Sequence, residues 1–254
     1  MSDSLMSTKP SPYQVQPFSD RCRALWERGD HLLIGVSPGN SYFSARRIAE
    51  LVGWGREFFD AVDVVYADLH VDAQFEALGY TPEHAGRRAA KEVKATARRI
   101  ERGVEESGRS AVGVHALSDF RAEPAYRRLH AAAERALLED PVFREAAEGM
   151  ARGFLGARLP ADTAAGAEQL AAGLRYICAE LPFFLDTPAL LGRPSSISCY
   201  HLELPLTPVL FGRDEGLRAV PAQGYAVVRP HPTGAGGEPP AEQSAERPAE
   251  QLAA

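Results

Sequence analysis

Short apolar segments alternate with longer amphipathic segments along most of this chain. The apolar segments have the length of single strands, and the segments between them show the 3.6-residue periodicity of helices. Strands are predicted at 31–36, 62–67, 111–115, 196–201 and 225–229. Helices are predicted at 44–59, 82–107, 124–138, 141–153 and 163–179. Because strands separated by helices need crossover connections, we predict an α/β fold with a mainly parallel, doubly wound sheet flanked by helices.

The two ends of the chain differ in composition from its middle. Residues 1–16 are polar and lack apolar periodicity, and residues 230–254 are rich in Pro, Gly, Ala and Glu with a single Leu. Neither end can bury enough apolar surface to offset its ordering entropy. We therefore predict disordered tails over 1–16 and 230–254 and one domain over 17–229, which has no Pro/Gly-rich linker.

The charge and cysteine content exclude several classes of protein. With 28 Lys and Arg against 34 Asp and Glu, the net charge of −6 creates no overall field that attracts nucleic acid, so such a contact needs a local patch. The three cysteines are widely spaced and lack a C-x-x-C pair, which disfavours a disulfide scaffold and a zinc finger. No uncharged apolar run approaches about 18 residues. We expect a cytoplasmic protein without a membrane segment.

A serine between two glycines follows the first predicted strand. Residues 35–39 read Gly-Val-Ser-Pro-Gly and fit G-x-S-x-G, the sharp turn that exposes the nucleophile of serine hydrolases. Ser37 is either a nucleophile or the cap of a helix. A serine hydrolase stays an alternative, although only 36 residues precede Ser37 and conventional lipases place several strands there. The loop lacks G-x-G-x-x-G and G-x-x-x-x-G-K-[ST], so we expect no ATP and no dinucleotide cofactor.

Two later segments offer groups for binding ammonium or transferring protons. Tyr176 and Glu180 are spaced i and i+4 on a helix that Pro182 is predicted to end, so both project from one face. An ordinary amphipathic helix gives the same spacing. Tyr200 and His201 end another strand, where an imidazole is either structural or transfers protons.

Residues 68–72 contain side chains of the types that bind metals. They read Asp-Leu-His-Val-Asp, but no partner cluster of ligands is evident elsewhere. We therefore predict that the protein binds no metal.

Seven basic residues lie on one surface of the helix predicted at 82–107. Five fall within about an 80° arc and two flank it: Arg87, Lys91, Lys94, Arg98 and Arg102, with Arg88 and Arg99 beside them. The residues predicted to face the sheet are Ala90, Val93, Ala97, Ile100 and Val104. Such a stripe is either a solvated face or a phosphate-binding surface. Because clustered base-stacking aromatics are absent from the sequence, contact with the backbone of helical RNA is favoured over base reading.

Together these segments resemble the cyclodipeptide synthase family. The matching stretches are HLLIGVS at 31–37, PGNSYFS at 38–44, DVVYAD at 63–68, YICAELP at 176–182 and SSISCYH at 195–201. They follow the family's order and spacing over residues 20–230. Asn40, Tyr200 and His201 match the trio that defines the family's Asn-Tyr-His group.

The resemblance implies a Rossmann-like fold similar to the catalytic domains of class I tyrosyl- and tryptophanyl-tRNA synthetases. It implies an enzyme that takes two aminoacyl-tRNAs as activated esters, uses no cofactor and releases a cyclic dipeptide, a 2,5-diketopiperazine. The basic helix is expected to hold the acceptor arm of the first tRNA. Because no long heptad run is present, we expect a monomer.

The same resemblance implies roles for individual residues. Ser37 carries first an aminoacyl and then a dipeptidyl ester, Tyr176 and Glu180 anchor the ammonium group, and Tyr200 relays protons. The residues implied to hold the site are Asn40 and His201. No His–Asp pair is evident beside Ser37, so its base is left open between the substrate amine and the tRNA ribose.

The resemblance also implies two side-chain pockets. The first is expected to contain Leu33, Gly35, Val65, Ala67, Leu117, Phe183 and Ser198, and the second Met150 and Ala157. The apolar members suit an uncharged amino acid. Since one or two methylenes change selectivity by only about 1–3 kcal/mol, the two amino acids joined are not predicted.

Overall fold

The computed structural model describes residues 11–156, 158–159 and 165–231. The strands are β1 (Tyr13–Pro17), β2 (His31–Val36), β3 (Ala61–Tyr66), β4 (Gly113–Ala116), β5 (Ser196–Tyr200) and β6 (Gln223–Pro230). The helices are α1 (Asp20–Arg28), α2 (Ala45–Phe58), α3 (Val71–Ala77), α4 (Pro82–Glu106), α5 (Pro124–Glu139), α6 (Pro141–Gly156), α7 (Ala167–Leu191) and α8 (Thr207–Phe211). Every predicted strand and helix of the sequence has its counterpart here.

The strands form one sheet in the order β1-β6-β5-β2-β3-β4. The pairs from β6 to β4 are parallel, and only β1 runs antiparallel, beside β6. The predicted α/β class and mainly parallel sheet are confirmed. The chain leaves β2 toward β3 on one side and later returns to β5 on the other, so the strand order reverses between β2 and β5.

The predicted N-terminal boundary at residue 17 is wrong. Residues 13–17 form β1, and the buried Tyr13 ring packs 4.9 Å from the ring of Trp54. Polar side chains alternate with Tyr13 and Val15 because the strand lies at a sheet edge with one face covered. At the other end β6 reaches Pro230, and most of the predicted C-terminal tail lies outside the described residues.

Successive residues of β2 serve opposite faces of the sheet. Ile34 belongs to a buried cluster with Ile48 of α2 and Ile100 of α4. Leu33 belongs to a second cluster with Tyr176 of α7. Since side chains alternate along a strand, the near-continuous apolar run of β2 reflects burial on both faces.

Helix α4 is oriented differently from the prediction. Ala90 is exposed, and the side of the helix that is buried carries Ala85, Ala89, Thr96, Ile100 and Gly103. Most of its contacts are with α2 and α3 rather than with the sheet. At Gly103 a Cβ atom would lie 2.7 Å from the Ala45 carbonyl oxygen, so the two helices approach too closely for a side chain there.

Pro182 does not end α7 as predicted. The helix continues to Leu191, with a break at Asp186 (φ −158°, ψ 63°). A proline in a helix removes one backbone hydrogen bond, and burial of Pro182 and its apolar neighbours offsets that loss. Beyond the break the amide of Thr187 donates to Oε1 of Gln223 at 3.0 Å. Phe183 therefore stays helical and faces the same cluster as Tyr176.

A buried charged cluster joins the amino-terminal halves of the central strands. The Asp63 carboxylate on β3 accepts from Nη2 of Arg193 at 2.8 Å and from the Gly113 amide at 2.8 Å, and lies 3.1 Å from Nε2 of His31. Burial alone raises the pKa of Asp63, but hydrogen bonds from His115, His31 and Arg193 outweigh it and hold that pKa well below its ordinary value. The Asp63 carboxylate on β3 is thus the shared acceptor for β2, β4 and the turn that follows α7.

Replacing Asp63 by Asn should destabilise the fold by about 3–5 kcal/mol, because it removes the charged acceptor of Arg193 and of the buried His31 ring. Urea unfolding of both proteins measures the difference. Glu57→Gln, which removes an exposed ion pair of 3.9 Å with Arg109, is the control and should cost under about 1 kcal/mol. Because the folded pKa of Asp63 is lowered, its contribution is present above the unfolded pKa and declines as the pH falls below about 4. Equal effects of the two variants at pH 7 would contradict this account.

Candidate active site

The site lies where the carboxyl ends of β2 and β5 meet. Residues 32–34 of β2 pair in parallel with residues 197–199 of β5, so Ser37 and Tyr200 leave the sheet side by side. This is the point at which the strand order reverses, where crevices form in open α/β sheets. Two groups that are 163 positions apart in the chain are thereby brought to one edge.

Ser37 is held in a tight turn and does not cap α2. The Asn40 amide donates to the Ser37 carbonyl at 3.3 Å, and Gly39 takes a left-handed φ of 73°, which favours glycine. The cap of α2 is Ser44, whose hydroxyl accepts from the Arg47 amide at 3.1 Å. The hypothesis that Ser37 is a helix cap is therefore wrong, and its hydroxyl is left for other partners.

Asn40 links the serine loop to the end of β5. Its Nδ2 donates to the Tyr200 hydroxyl at 2.9 Å, and its Oδ1 accepts from the Tyr42 amide at 3.0 Å. His201 stacks on the Tyr42 ring with centroids 4.0 Å apart and an angle of 14°. Burial, with a contribution from Arg229, lowers the pKa of His201 to about 4, so the imidazole is neutral at pH 7. Asn40 and His201 thus fix the surroundings of Tyr200.

Tyr176 and Glu180 reach Ser37 from α7. Burial raises the pKa values of both groups, and their interaction with the nearby Ser37 hydroxyl lowers those values to a smaller extent. Burial lifts the pKa of Glu180 to about 7, against the opposing effects of Tyr176 and Ser37. The pKa of Tyr176 lies well above its ordinary value because of burial and the nearby Glu180. At neutral pH a carboxyl group poised between two protonation states therefore lies beside the serine.

Tyr200 completes the polar groups around Ser37. Burial and the charge of Glu180 raise its pKa to about 12, and hydrogen bonds with Asn40 and Ser37 act in the opposite direction. Its hydroxyl is consequently protonated at neutral pH. It can donate a proton to a departing oxygen or amine while accepting one from another group.

An apolar cluster lies beneath these polar groups. It contains five of the seven residues predicted for the first pocket, together with Tyr176: Leu33, Val65, Ala67, Leu117 and Phe183. Gly35 is opposite Val65 in the parallel register, and nothing lies within 4 Å of where its Cβ would be, so the sheet is open at this point. The buried Ser198 hydroxyl lies 3.5 Å from the Phe183 carbonyl and accepts from Nε2 of Gln223 at 3.1 Å.

Met150 lies on another side of Glu180. It lines a small apolar cleft with Glu180, Ile177 and Phe184. Its position beside the carboxyl group agrees with a second pocket, which stays a prediction. Ala157, the other residue predicted there, lies outside the described residues.

Several neighbours of the site were not predicted from the sequence. The Phe154 ring stacks on Tyr176 with centroids 6.2 Å apart, and the Arg158 guanidinium lies 3.7 Å above the Phe154 ring. The buried Tyr126 hydroxyl donates to the Ala179 carbonyl at 2.7 Å, next to Glu180. Their spacing in the chain does not predict that they lie near the site, since each position depends on how α5, α6 and α7 pack.

The predicted basic surface is present on α4, with one exception. The exposed members are Arg87, Arg88, Lys91, Lys94, Arg98 and Arg102. Arg99 is half-buried, and its Nη2 donates to the Thr96 hydroxyl at 3.2 Å. Arg88 also lies over the Tyr80 ring at 4.9 Å. Glu92 of the same helix points to the serine loop, where its Oε1 would be 2.5 Å from a Cβ atom at Gly39.

Three other features can be tested among the residues that the structure describes: a metal site, a membrane-spanning helix and a Ser–His–Asp arrangement away from Ser37. Among them no group of three or more His, Cys, Asp and Glu side chains is arranged to hold a metal ion. No helix in the described ranges is both long and apolar enough to cross a bilayer. A Ser196–His31–Asp63 arrangement exists, but all three side chains are buried at the opposite end of the strands from Ser37.

Comparisons with known proteins point to one family. The family model described as cyclodipeptide synthase matches residues 13–230. A cyclo(L-tyrosyl-L-tyrosyl) synthase of Mycobacterium tuberculosis is 42% identical over 88% of this chain and 78% of its own length. A cyclo(L-leucyl-L-phenylalanyl) synthase of Streptomyces noursei is 40% identical over 83% of this chain and 89% of its own length.

A solved structure also superimposes closely on this fold. It is that of a Mycobacterium tuberculosis protein presented as showing that cyclodipeptide synthetases are related to type I tRNA synthetases. The TM-score is 0.79 at 42% identity, and the alignment covers 88% of this chain and 95% of that chain. The family model spans residues 13–230, and the relatives are about 40% identical over most of the chain, so these matches show common family membership as well as a shared fold. The chain belongs to the cyclodipeptide synthase family and is an enzyme that forms cyclic dipeptides.

Proposed function

We propose that the enzyme joins two amino acids delivered as aminoacyl-tRNAs, through esters formed on Ser37. The observation that carries this proposal is the set of neighbours of Ser37: its hydroxyl lies among Tyr176, Glu180 and Tyr200, and Tyr176 belongs to a buried apolar cluster. An esterified amino acid offers an ammonium group, a carbonyl and a side chain. The site provides a carboxyl group for the ammonium group, a nucleophile for the carbonyl and apolar surroundings for the side chain.

In the first half-reaction the Ser37 oxygen attacks the carbonyl carbon of the first aminoacyl ester. The bond to the ribose oxygen breaks, that oxygen takes a proton, and an aminoacyl-Ser37 ester forms. The transfer exchanges one ester for another, so no ATP is consumed. The Ser37 proton passes to the substrate amine or the ribose oxygen.

In the second half-reaction the amine of the Ser37 ester attacks the second aminoacyl ester. This step forms a dipeptidyl ester on Ser37 and releases the second RNA. The free amine of the dipeptide then attacks the Ser37 ester carbonyl, which closes the six-membered ring and restores the Ser37 hydroxyl. Tyr200, which is protonated at neutral pH, moves protons between the attacking amine and the departing oxygen.

Glu180 and Tyr176 anchor the ammonium group of the first amino acid. A cation beside Glu180 stabilises its ionised form, so substrate binding lowers the pKa that burial has raised. This arrangement orients the ester carbonyl toward Ser37. The pocket below is apolar except for the Ser198 hydroxyl, which favours an uncharged side chain.

The exposed cations of α4 bind the acceptor arm of the first tRNA. They lie on one face of a helix whose Glu92 reaches the Ser37 loop, so an RNA on this face is close to the nucleophile. In a chain of net charge −6, such a face concentrates positive charge where phosphates are needed.

Replacing Ser37 by Ala should reduce cyclic dipeptide formation by at least about 1,000-fold, since no ester can form. Mass spectrometry of the medium of expressing bacteria measures the product and identifies the two amino acids. Ser41→Ala, which changes an exposed serine of the same loop, is the matched control and should retain the product. Equal product from wild type and Ser37→Ala would refute covalent catalysis at this residue.

The pH dependence of catalysis should show the Glu180 carboxyl. Below about pH 7 its neutral form no longer anchors an ammonium group, so kcat/KM should fall as the pH decreases. Glu180→Gln should lower kcat/KM and remove this acid limb, whereas Glu148→Gln, on the exterior of α6, should preserve it. A persistent acid limb in Glu180→Gln would assign the titration to another group.

Unfolding measurements test the same group without activity. A raised folded pKa makes the Glu180 contribution most favourable below pH 4.5, and this contribution is lost as the pH rises through about 7. Glu180→Gln should therefore gain stability relative to wild type between pH 5 and 8, by up to about 3 kcal/mol. A constant difference across this range would contradict the raised pKa.

Removing two charges from α4 separates RNA binding from chemistry. Arg98→Ala with Arg102→Ala should weaken tRNA binding and reduce the slope of log K against log salt by about 1–2. Arg23→Ala, an exposed cation on α1, is the control. Because the variant keeps Ser37, its rate at saturating tRNA should be near that of wild type. Unchanged affinity and salt slope would remove the stripe from the RNA-binding surface.

A further inference from the structure

A groove of about 590 Å³ lies between α5 and α7, beside the start of α3. Of the residues described above around the active site, Tyr126 alone lines it, and none of the residues around Ser37 does. The ionisable side chains along it are His70, Arg121, Arg127, His130, Glu134 and Arg175. Five of these six groups are arginines or histidines, in a chain that is acidic overall.

The groove and the active site use opposite faces of α7. Leu174, Arg175 and Cys178 line the groove, whereas Tyr176 and Glu180 face Ser37. At 100° per residue the two sets are centred about 175° apart on the helix. A ligand in the groove is therefore separated from the reacting atoms by the thickness of a helix.

The positive charge of the groove is available to a ligand. Arg121, Arg127 and Arg175 are exposed, and within the described part of the chain none forms an ion pair or a side-chain hydrogen bond. Only His130 has an acidic partner, Glu134, at 3.5 Å. His70 adopts a left-handed conformation (φ 59°), uncommon for a residue other than glycine, which places its ring along this groove.

The walls between these charges are apolar. Leu69, Leu174 and Leu137 line the groove, as does the Tyr126 side chain, whose hydroxyl is already bonded to the Ala179 carbonyl. Arginine forks match the geometry of phosphate oxygens, and apolar and imidazole surfaces accept the face of a base. This combination of long apolar walls and unpaired arginines suits an unpaired nucleotide better than a fully paired RNA helix.

We propose that this groove binds an unpaired nucleotide segment of the substrate RNA, at a distance from the amino acid that reacts. The proposal rests on the proposed use of aminoacyl-tRNAs. Helix α3 packs against both α4 and α7, so the groove and the basic stripe of α4 flank the same short helix. One RNA, or the two RNAs of one reaction cycle, can contact both surfaces.

Two double variants with the same change of charge test the proposal. Arg121→Ala with Arg175→Ala empties the groove of two cations. Arg128→Ala with Arg135→Ala removes two exposed cations from the other side of α5, outside the groove. Binding of deacylated tRNA is measured against salt for both variants and wild type, together with binding of a fully paired RNA hairpin.

The groove variant should bind deacylated tRNA at least about 10-fold more weakly, with a salt slope reduced by about 1–2, and the control should change less than about 2-fold. Binding of the paired hairpin should change little. In cyclic dipeptide synthesis the groove variant should raise KM for the aminoacyl-tRNA and leave kcat within about 2-fold. Circular dichroism and thermal unfolding should be unaltered, since the replaced side chains make no described contacts.

Other outcomes overturn the proposal. Equal weakening of tRNA binding by the two double variants would indicate a general effect of charge. Unchanged tRNA binding by the groove variant would show that the groove does not bind the RNA. Competition by poly-glutamate at the groove with no effect on tRNA would indicate an acidic protein partner instead. Because deacylated tRNA needs no chemistry at Ser37, a wild type that binds tRNA through the groove yet forms no cyclic dipeptide would refute the proposed function and not the groove.

Discussion

The pairing of β2 with β5 is the constraint on which the rest of this structure depends. The two strands are parallel neighbours although about 160 residues separate them, so their carboxyl ends meet and place Ser37 beside Tyr200. Asn40 then closes the gap with one hydrogen bond to Tyr200. Tyr66 and Ala116, which end β3 and β4, leave the same edge, and residues predicted for the first pocket cluster between the sheet and α7. A shift in register of one residue would turn Leu33 away from this pocket.

Placing Glu180 beside Ser37 has an energetic cost, because burial disfavours the ionised form of its carboxyl group. A carboxyl group removed from water retains its proton unless a cation or hydrogen bonds stabilise its charge, and here the bonds with Tyr176 and Ser37 offset the burial only in part. The group is therefore better satisfied with an ammonium substrate present than without one. A site of this kind binds a charged amine selectively without a permanent ion pair. By contrast, Asp63 has its cations built into the fold, which is why its pKa lies far below that of Glu180.

The parts of the fold predicted from the sequence are those whose pattern is local. The strand predicted at 31–36 matches β2 because burial on both faces gives a continuous apolar run, and G-x-S-x-G located the turn after it. The edge strand β1 was missed because only alternate residues are apolar. The prediction that Pro182 ends the helix is wrong, because burial in the core overrides the helix-breaking tendency of proline. The prediction that Ala90 faces the sheet is wrong, because α4 packs on α2 through Gly103 and leaves Ala90 exposed. The positions of Phe154 and Arg158 depend on helix packing, which no spacing encodes.

Gly39 connects the two proposed tasks of the enzyme. It turns the chain after Ser37 with a positive φ, and it also leaves the space into which Glu92 of α4 projects. The helix that carries the basic stripe is thus in direct proximity to the loop that carries the nucleophile, with only a hydrogen atom on the glycine between them. A larger side chain at this position would strain the turn and force the Glu92 carboxylate to move. The loop that carries the nucleophile and the helix proposed to bind RNA are therefore in contact through this residue.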